Sequence, residues 1–139
     1  MYYVEKSFRI PMGHRLSLHL GNCKFNHGHN FLIKVEVSSG ILNYNNMVMD
    51  FSDLKKIVQE ILDQWDHAFF VNKDDVLLQT KIMNFCKIIE VDGDPTAEKI
   101  CEILYNFIAT NIKSNASYCK VESVSIWETE DSMAMYKPD

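Results

Sequence analysis

His27 and His29 stand two residues apart in Asn26-His27-Gly28-His29-Asn30. On an extended backbone, residues i and i+2 project to the same face. Both imidazoles can therefore address one ion, and Gly28 leaves room between them. His14 ends an earlier strand-like stretch, and hairpin pairing of the two segments would bring it level with the other two. Three neutral imidazoles with an open fourth position make a catalytic zinc site, because structural sites usually hold four protein ligands, cysteine foremost. Neutral ligands leave the ion its full double positive charge, a strong Lewis acid that lowers the pKa of a bound hydroxyl. The same spacing also fits turn histidines bonded only to water and backbone, and the pattern alone leaves both readings open. Imidazole donors likewise suit several divalent metals.

Other chemistry-bearing residues cluster nearby. Of the four cysteines, Cys23 alone lies in a polar turn, close to two histidines. Cys86, Cys101 and Cys119 sit among apolar residues in expected helix or strand and read as core packing. There is no C-x-x-C pair and no export signal, so no disulfide framework is expected. Arg9 and Arg15, the only arginines of the chain, both lie within six residues of His14. They would suit an anion arriving there; chance placement explains two residues equally well.

The elements that must position these groups follow from periodicity. Tyr2 to Pro11 reads as a strand, with Phe8 and Ile10 on one side. From Asn30 to Ser39, Phe31, Ile33, Val35 and Val37 alternate with Leu32, Lys34, Glu36 and Ser38, the period of a half-buried strand. Leu54, Ile57, Val58, Ile61, Leu62 and Trp65 then recur at helical spacing, with Asp50 or Ser52 as N-cap. Residues 68–85 are less regular, and Cys86 to Val91 reads as a short strand. Pro95-Thr96 opens a second helix whose stripe is Ile100, Ile103, Leu104, Phe107 and Ile108. Tyr118 to Glu128 and Met133 to Tyr136 read as two closing strands. The expected class is α+β, an antiparallel sheet with two helices on one face in ββααββ order, filling residues 1–139 as a single domain. Its exposed edge strands favour oligomerisation.

Composition narrows the function. A hydrophobic fraction of 47% supplies a core. A net charge of −5 argues against non-specific nucleic-acid binding, which needs a basic face. No apolar run approaches the roughly 20 residues of a membrane helix, and the N-terminus has no signal-peptide pattern. These features predict a soluble cytoplasmic protein that binds neither nucleic acid nor membrane.

The segment Cys23-Lys24-Phe25-Asn26-His27-Gly28-His29-Asn30-Phe31 resembles the C-x3-H-G-H-N-[YF] signature of the 6-pyruvoyl-tetrahydropterin synthase family. That family includes the 6-carboxytetrahydropterin synthases of queuosine and related deazapurine synthesis. Met47-Val48-Met49-Asp50-Phe51, Asp66-His67, Pro95-Thr96-Ala97-Glu98 and Trp127-Glu128-Thr129 with Tyr136 resemble the family's further motifs, in order and over nearly the whole chain. The resemblance implies the tunnelling fold, or T-fold, in which trimers of subunits close a barrel, pairs of trimers make hexamers, and active sites lie between subunits.

The resemblance further implies that His14, His27 and His29 bind Zn2+ and that Cys23 is the catalytic thiol. Asp66 and His67 become an acid/base pair, contributed by a neighbouring subunit. Glu128 anchors the pterin of 7,8-dihydroneopterin triphosphate, and Thr96 touches its edge. A thiolate near a dication has a lowered pKa and can take a proton. A carboxylate facing ring N–H and exocyclic amine makes a bidentate, charge-assisted pair. Arg9, Arg15 and Lys24 are candidates for the triphosphate. The chain departs from the family in placing Pro11-Met12-Gly13 before His14. Lys24 after Cys23 speaks against the branch that cleaves the pterin side chain in an aldolase-like way. The expected activity is 6-carboxytetrahydropterin synthesis with loss of triphosphate and acetaldehyde. The rivals are 6-pyruvoyl-tetrahydropterin synthesis, a non-catalytic pterin- or metal-binding module, and a structural zinc hairpin.

Overall fold

The alternation that marks the second strand extends through a long hairpin. In the computed structural model, which describes residues 1–139, β1 (Tyr2–His14) pairs antiparallel with β2 (His27–Ser39) along its whole length. Phe8, Ile10 and Met12 of β1 and Phe31, Ile33, Val35 and Val37 of β2 are all buried in one core. Burying a side chain of this size contributes roughly 1.5–3 kcal/mol. The strand runs unbroken through Pro11-Met12-Gly13 to His14. Gly13 permits this, since a Cβ there would lie 2.8 Å from the Phe69 ring.

Helix α1 (Phe51–Trp65) follows, capped by the Asp50 carboxylate accepting from the Ser52 amide. Leu54, Val58, Ile61, Leu62 and Trp65 of its expected stripe are buried, and Ile57 is partly buried against them. Two short strands come next, β3 (Ala68–Asn72) and β4 (Lys87–Val91). Helix α2 (Ala97–Asn115) and strands β5 (Cys119–Thr129) and β6 (Ser132–Tyr136) complete the chain. The sheet order is β4-β3-β1-β2-β5-β6, and both helices pack on the face that carries the core residues.

Two details differ from the sequence-based expectation. The stretch read as irregular contains β3, and β3 pairs parallel with both β1 and β4, so the sheet is mixed. Parallel neighbours need a long crossover, which residues 73–86 supply. The second difference lies in α2, which buries Ala97, Ile100, Cys101, Leu104, Ile108 and Ile112. Ile103 and Phe107 are only partly covered, because they face the groove between the helices and β4. No helix is long and apolar enough to cross a membrane.

Candidate active site

The hairpin register brings the three histidines together. His14 lies directly opposite His27, and His29 is opposite Met12. All three imidazoles therefore extend the core-facing row of the sheet. A ligand nitrogen of each lies within 4.8 Å of the others. The ring centroids are 4.5 Å apart for His14 and His27, 5.3 Å for His14 and His29, and 5.0 Å for His27 and His29.

Hydrogen bonds fix which nitrogen is free. His14 Nδ1 lies 2.9 Å from the Pro95 carbonyl and His27 Nδ1 lies 2.8 Å from the Phe25 carbonyl. A carbonyl can only accept, so Nδ1 of each ring carries the proton and Nε2 keeps its lone pair. This is the outer-shell arrangement that orients a metal-ligating imidazole. The Nε2 atoms of His14 and His29 are buried without any partner. Such atoms destabilise a fold by about 1–3 kcal/mol each unless something binds them. Burial pushes both imidazoles below the ordinary histidine range, against the Pro95 carbonyl and Glu128 for His14 and against Glu128 for His29. Burial thus favours the neutral form of both, the form that ligates. The donor set, the free nitrogens and their burial all fit a resident metal ion.

Glu128 sits at a break in register between Trp127 and Thr129 near the end of β5, and its Oε1 is 3.7 Å from His14 Nε2. With a neutral imidazole at that distance, the contact is not an ion pair. Glu128 also lines a cleft of about 350 Å³ with Cys23, Thr96, Ala97, Glu98 and His19. Thr96 is the N-cap of α2, its Oγ1 accepting from the Lys99 amide at 3.2 Å. Cys23 is half-buried in a single helical turn, Asn22–Lys24.

The structure thus brings Cys23, Thr96 and Glu128 to one cleft beside the histidine cluster. It does not bring Asp66 and His67 there. That pair closes α1: Asp66 Oδ1 is 2.6 Å from His67 Nδ1, and the His67 amide donates to the Pro11 carbonyl at 2.9 Å. His67 takes a left-handed conformation with φ of 60° and is exposed. It borders a second, open cleft, which His27 and His29 also line together with Asn30, Phe69, Phe85 and Cys86, but which Cys23, Thr96 and Glu128 do not reach. Cys86, expected in the core, is only half-buried here, because the crossover delivers it to the rim of this cleft. Cys101 and Cys119 are buried as expected.

The candidates for an anion separate as well. Arg15 is committed to Asp75 through Nε at 2.7 Å and to the Lys24 carbonyl through Nη1 at 2.9 Å. Lys24 Nζ sits 5.3 Å from the centre of the Phe25 ring. Arg9 is exposed on the sheet face opposite the histidines. The sequence reading missed Glu98 and His19 as cleft walls, and it missed the Pro95 carbonyl and Asp94. The Asp94 carboxylate accepts from Ser17 Oγ, the Leu18 amide and Asn72 Nδ2. These depend on contacts that local spacing does not encode.

Known proteins resemble this chain over nearly its whole length. The sequence model of the family described as 6-pyruvoyl tetrahydropterin synthase matches residues 3–139. A 6-carboxy-5,6,7,8-tetrahydropterin synthase of Haemophilus influenzae is 32% identical, with 99% of each chain covered. An uncharacterized protein of Wolinella succinogenes shares the fold with a TM-score of 0.86 at 23% identity, covering 99% of this chain and 98% of that one. The 6-pyruvoyl tetrahydropterin synthase of Caenorhabditis elegans superposes with a TM-score of 0.69 at 25% identity, covering 99% of this chain and 96% of that one. The chain has the T-fold and belongs to the 6-pyruvoyl tetrahydropterin synthase family, enzymes of the pterin-synthase type.

Proposed function

We propose that this protein is a zinc-dependent 6-carboxy-5,6,7,8-tetrahydropterin synthase. It would act on 7,8-dihydroneopterin triphosphate in queuosine or related deazapurine synthesis, in the cytoplasm. The observation that carries the reading is the histidine cluster, with partnerless Nε2 atoms of His14 and His29, opening beside a cleft that holds Cys23 and Glu128. Relatives that match over nearly their full length bear the same enzyme name.

The residues divide the work by chemistry. His14, His27 and His29 would hold Zn2+, which when bound supplies a Lewis acid for the oxygens of the substrate side chain. Glu128 accepts from the pterin ring N–H and exocyclic amine, which fixes the ring and satisfies a carboxylate that follows two buried apolar residues. Thr96, at the start of α2, closes on the edge of the same ring. The Cys23 thiolate removes a proton from the side chain, and an imidazole held by a carboxylate, His67 with Asp66, moves protons from the other side. Because that pair borders another cleft within one chain, it would come from a neighbouring subunit of a homo-oligomer, a trimer or hexamer, which would also cover the edge strands β4 and β6.

Mass analysis of the product tests the reading. Zinc-loaded protein incubated with 7,8-dihydroneopterin triphosphate is expected to release triphosphate and acetaldehyde and to leave 6-carboxytetrahydropterin. A 6-pyruvoyl product with no acetaldehyde would instead assign the chain to the elimination-only reaction of that family.

A further inference from the structure

The Cys23 turn is held by a side chain that binds neither metal nor pterin in the mechanism above. Arg15 continues β1 past His14, its amide donating to the Phe70 carbonyl at 3.3 Å. Its guanidinium then turns in two directions. Nε donates to Asp75 Oδ2 at 2.7 Å, and Nη1 donates to the Lys24 carbonyl at 2.9 Å. The Asp75 side chain is only 1% exposed, and its other oxygen caps a short turn by accepting from the Leu77 amide. Asp75 belongs to the crossover between β3 and β4, so it is a buried anchor on an element remote in sequence. The Leu16 amide donates to the Cys23 carbonyl at 2.9 Å. Cys23 is thus bracketed by one backbone bond at its own carbonyl and one guanidinium bond at the next.

We infer that Arg15 is a positioning residue that, anchored on buried Asp75, fixes the Cys23 thiol relative to the three-histidine cluster. The planar fork is what the task requires. A guanidinium offers several donors in a fixed geometry and bridges two acceptors, whereas an ammonium is a point charge on a flexible stem. Lysine at this position keeps the charge opposite Asp75 and gives up the rigid bridge to the Lys24 carbonyl. The inference rests on Cys23 being the reactive thiol, and it replaces the expectation that Arg15 receives the triphosphate.

The test compares zinc-loaded wild type with Arg15→Lys. Mass spectrometry measures iodoacetamide labelling of Cys23 at fixed pH, with half-buried Cys86 as internal standard. Arg15→Lys is expected to raise the Cys23 to Cys86 labelling ratio several-fold. A misplacement near 1 Å can cost about a hundredfold in rate, so a looser tether is expected to lower kcat about tenfold with KM little changed. Arg15→Ala also strands the buried Asp75 charge, so its expected loss of Tm is not informative, and the lysine variant decides. An unchanged labelling ratio in folded Arg15→Lys overturns the inference, because a purely stabilising ion pair would shift Tm alone. Cys23→Ser separates the two readings. If it retains turnover, Cys23 is not the reactive thiol, and the labelling ratio still judges the tether by itself.

Discussion

Each site side chain has an environment that says what it can do. His14 is the clearest: a polar ring almost fully buried, its Nδ1 spoken for by a carbonyl and its Nε2 facing two other imidazoles. The sequence placed three histidines within reach of one another, and it could not say which nitrogen would be free. That depended on the carbonyls of Pro95 and Phe25, and Pro95 is distant in the chain. Arg15 shows the same limit, since its acceptor Asp75 is invisible to local spacing. The cysteines give a pH prediction at this scale. Burial pushes the Cys101 thiol up to about 12, against the hydrogen bond from the Tyr136 backbone. Its thiolate is therefore suppressed to about one part in a thousand at pH 9. Alkylation at pH 9 should label Cys23 and Cys86 and spare Cys101, as read by peptide mass.

At the level of elements, the strongly periodic segments were legible and the weakly periodic ones were not. β2 and α1 follow their patterns because one face of each meets the core. β3 escaped notice because Ala68-Phe69-Phe70-Val71 is a continuous apolar run after a helix, without alternation. Parallel strands covered on both faces read that way. Its pairing with β1 is a long-range choice that no local signal specifies. The start of α2 carries a second prediction, because Thr96 both caps the helix and lines the cleft. Thr96→Ala should destabilise the protein by about 1 kcal/mol, a Tm loss of about 3–5 °C by calorimetry. Thr96→Ser keeps the capping oxygen and should restore the Tm. If Thr96→Ala leaves the Tm unchanged, α2 does not depend on this cap.

For the whole molecule, the separation of Cys23 from Asp66-His67 has a consequence for assembly. The sequence motifs named both groups as parts of one site, yet one chain places them at different clefts. If each site takes its thiol from one subunit and its imidazole from another, two inactive variants can repair each other. Cys23→Ala and His67→Ala should each lack activity. Mixed oligomers made by co-expression should recover about a quarter of wild-type turnover, the share of random interfaces where both intact groups meet. Mixed oligomers that remain inactive would place both groups in the service of a single chain.

In the proposed enzyme, the three-histidine cluster holds a metal beside a reactive thiol, which a mere binding module would not need. Zinc content and turnover measured together in Cys23→Ala test this arrangement most directly. The variant is expected to retain its zinc and its fold and to have lost product formation. Turnover near wild type in zinc-loaded Cys23→Ala, or wild-type protein that turns over with no metal bound, would contradict the proposal.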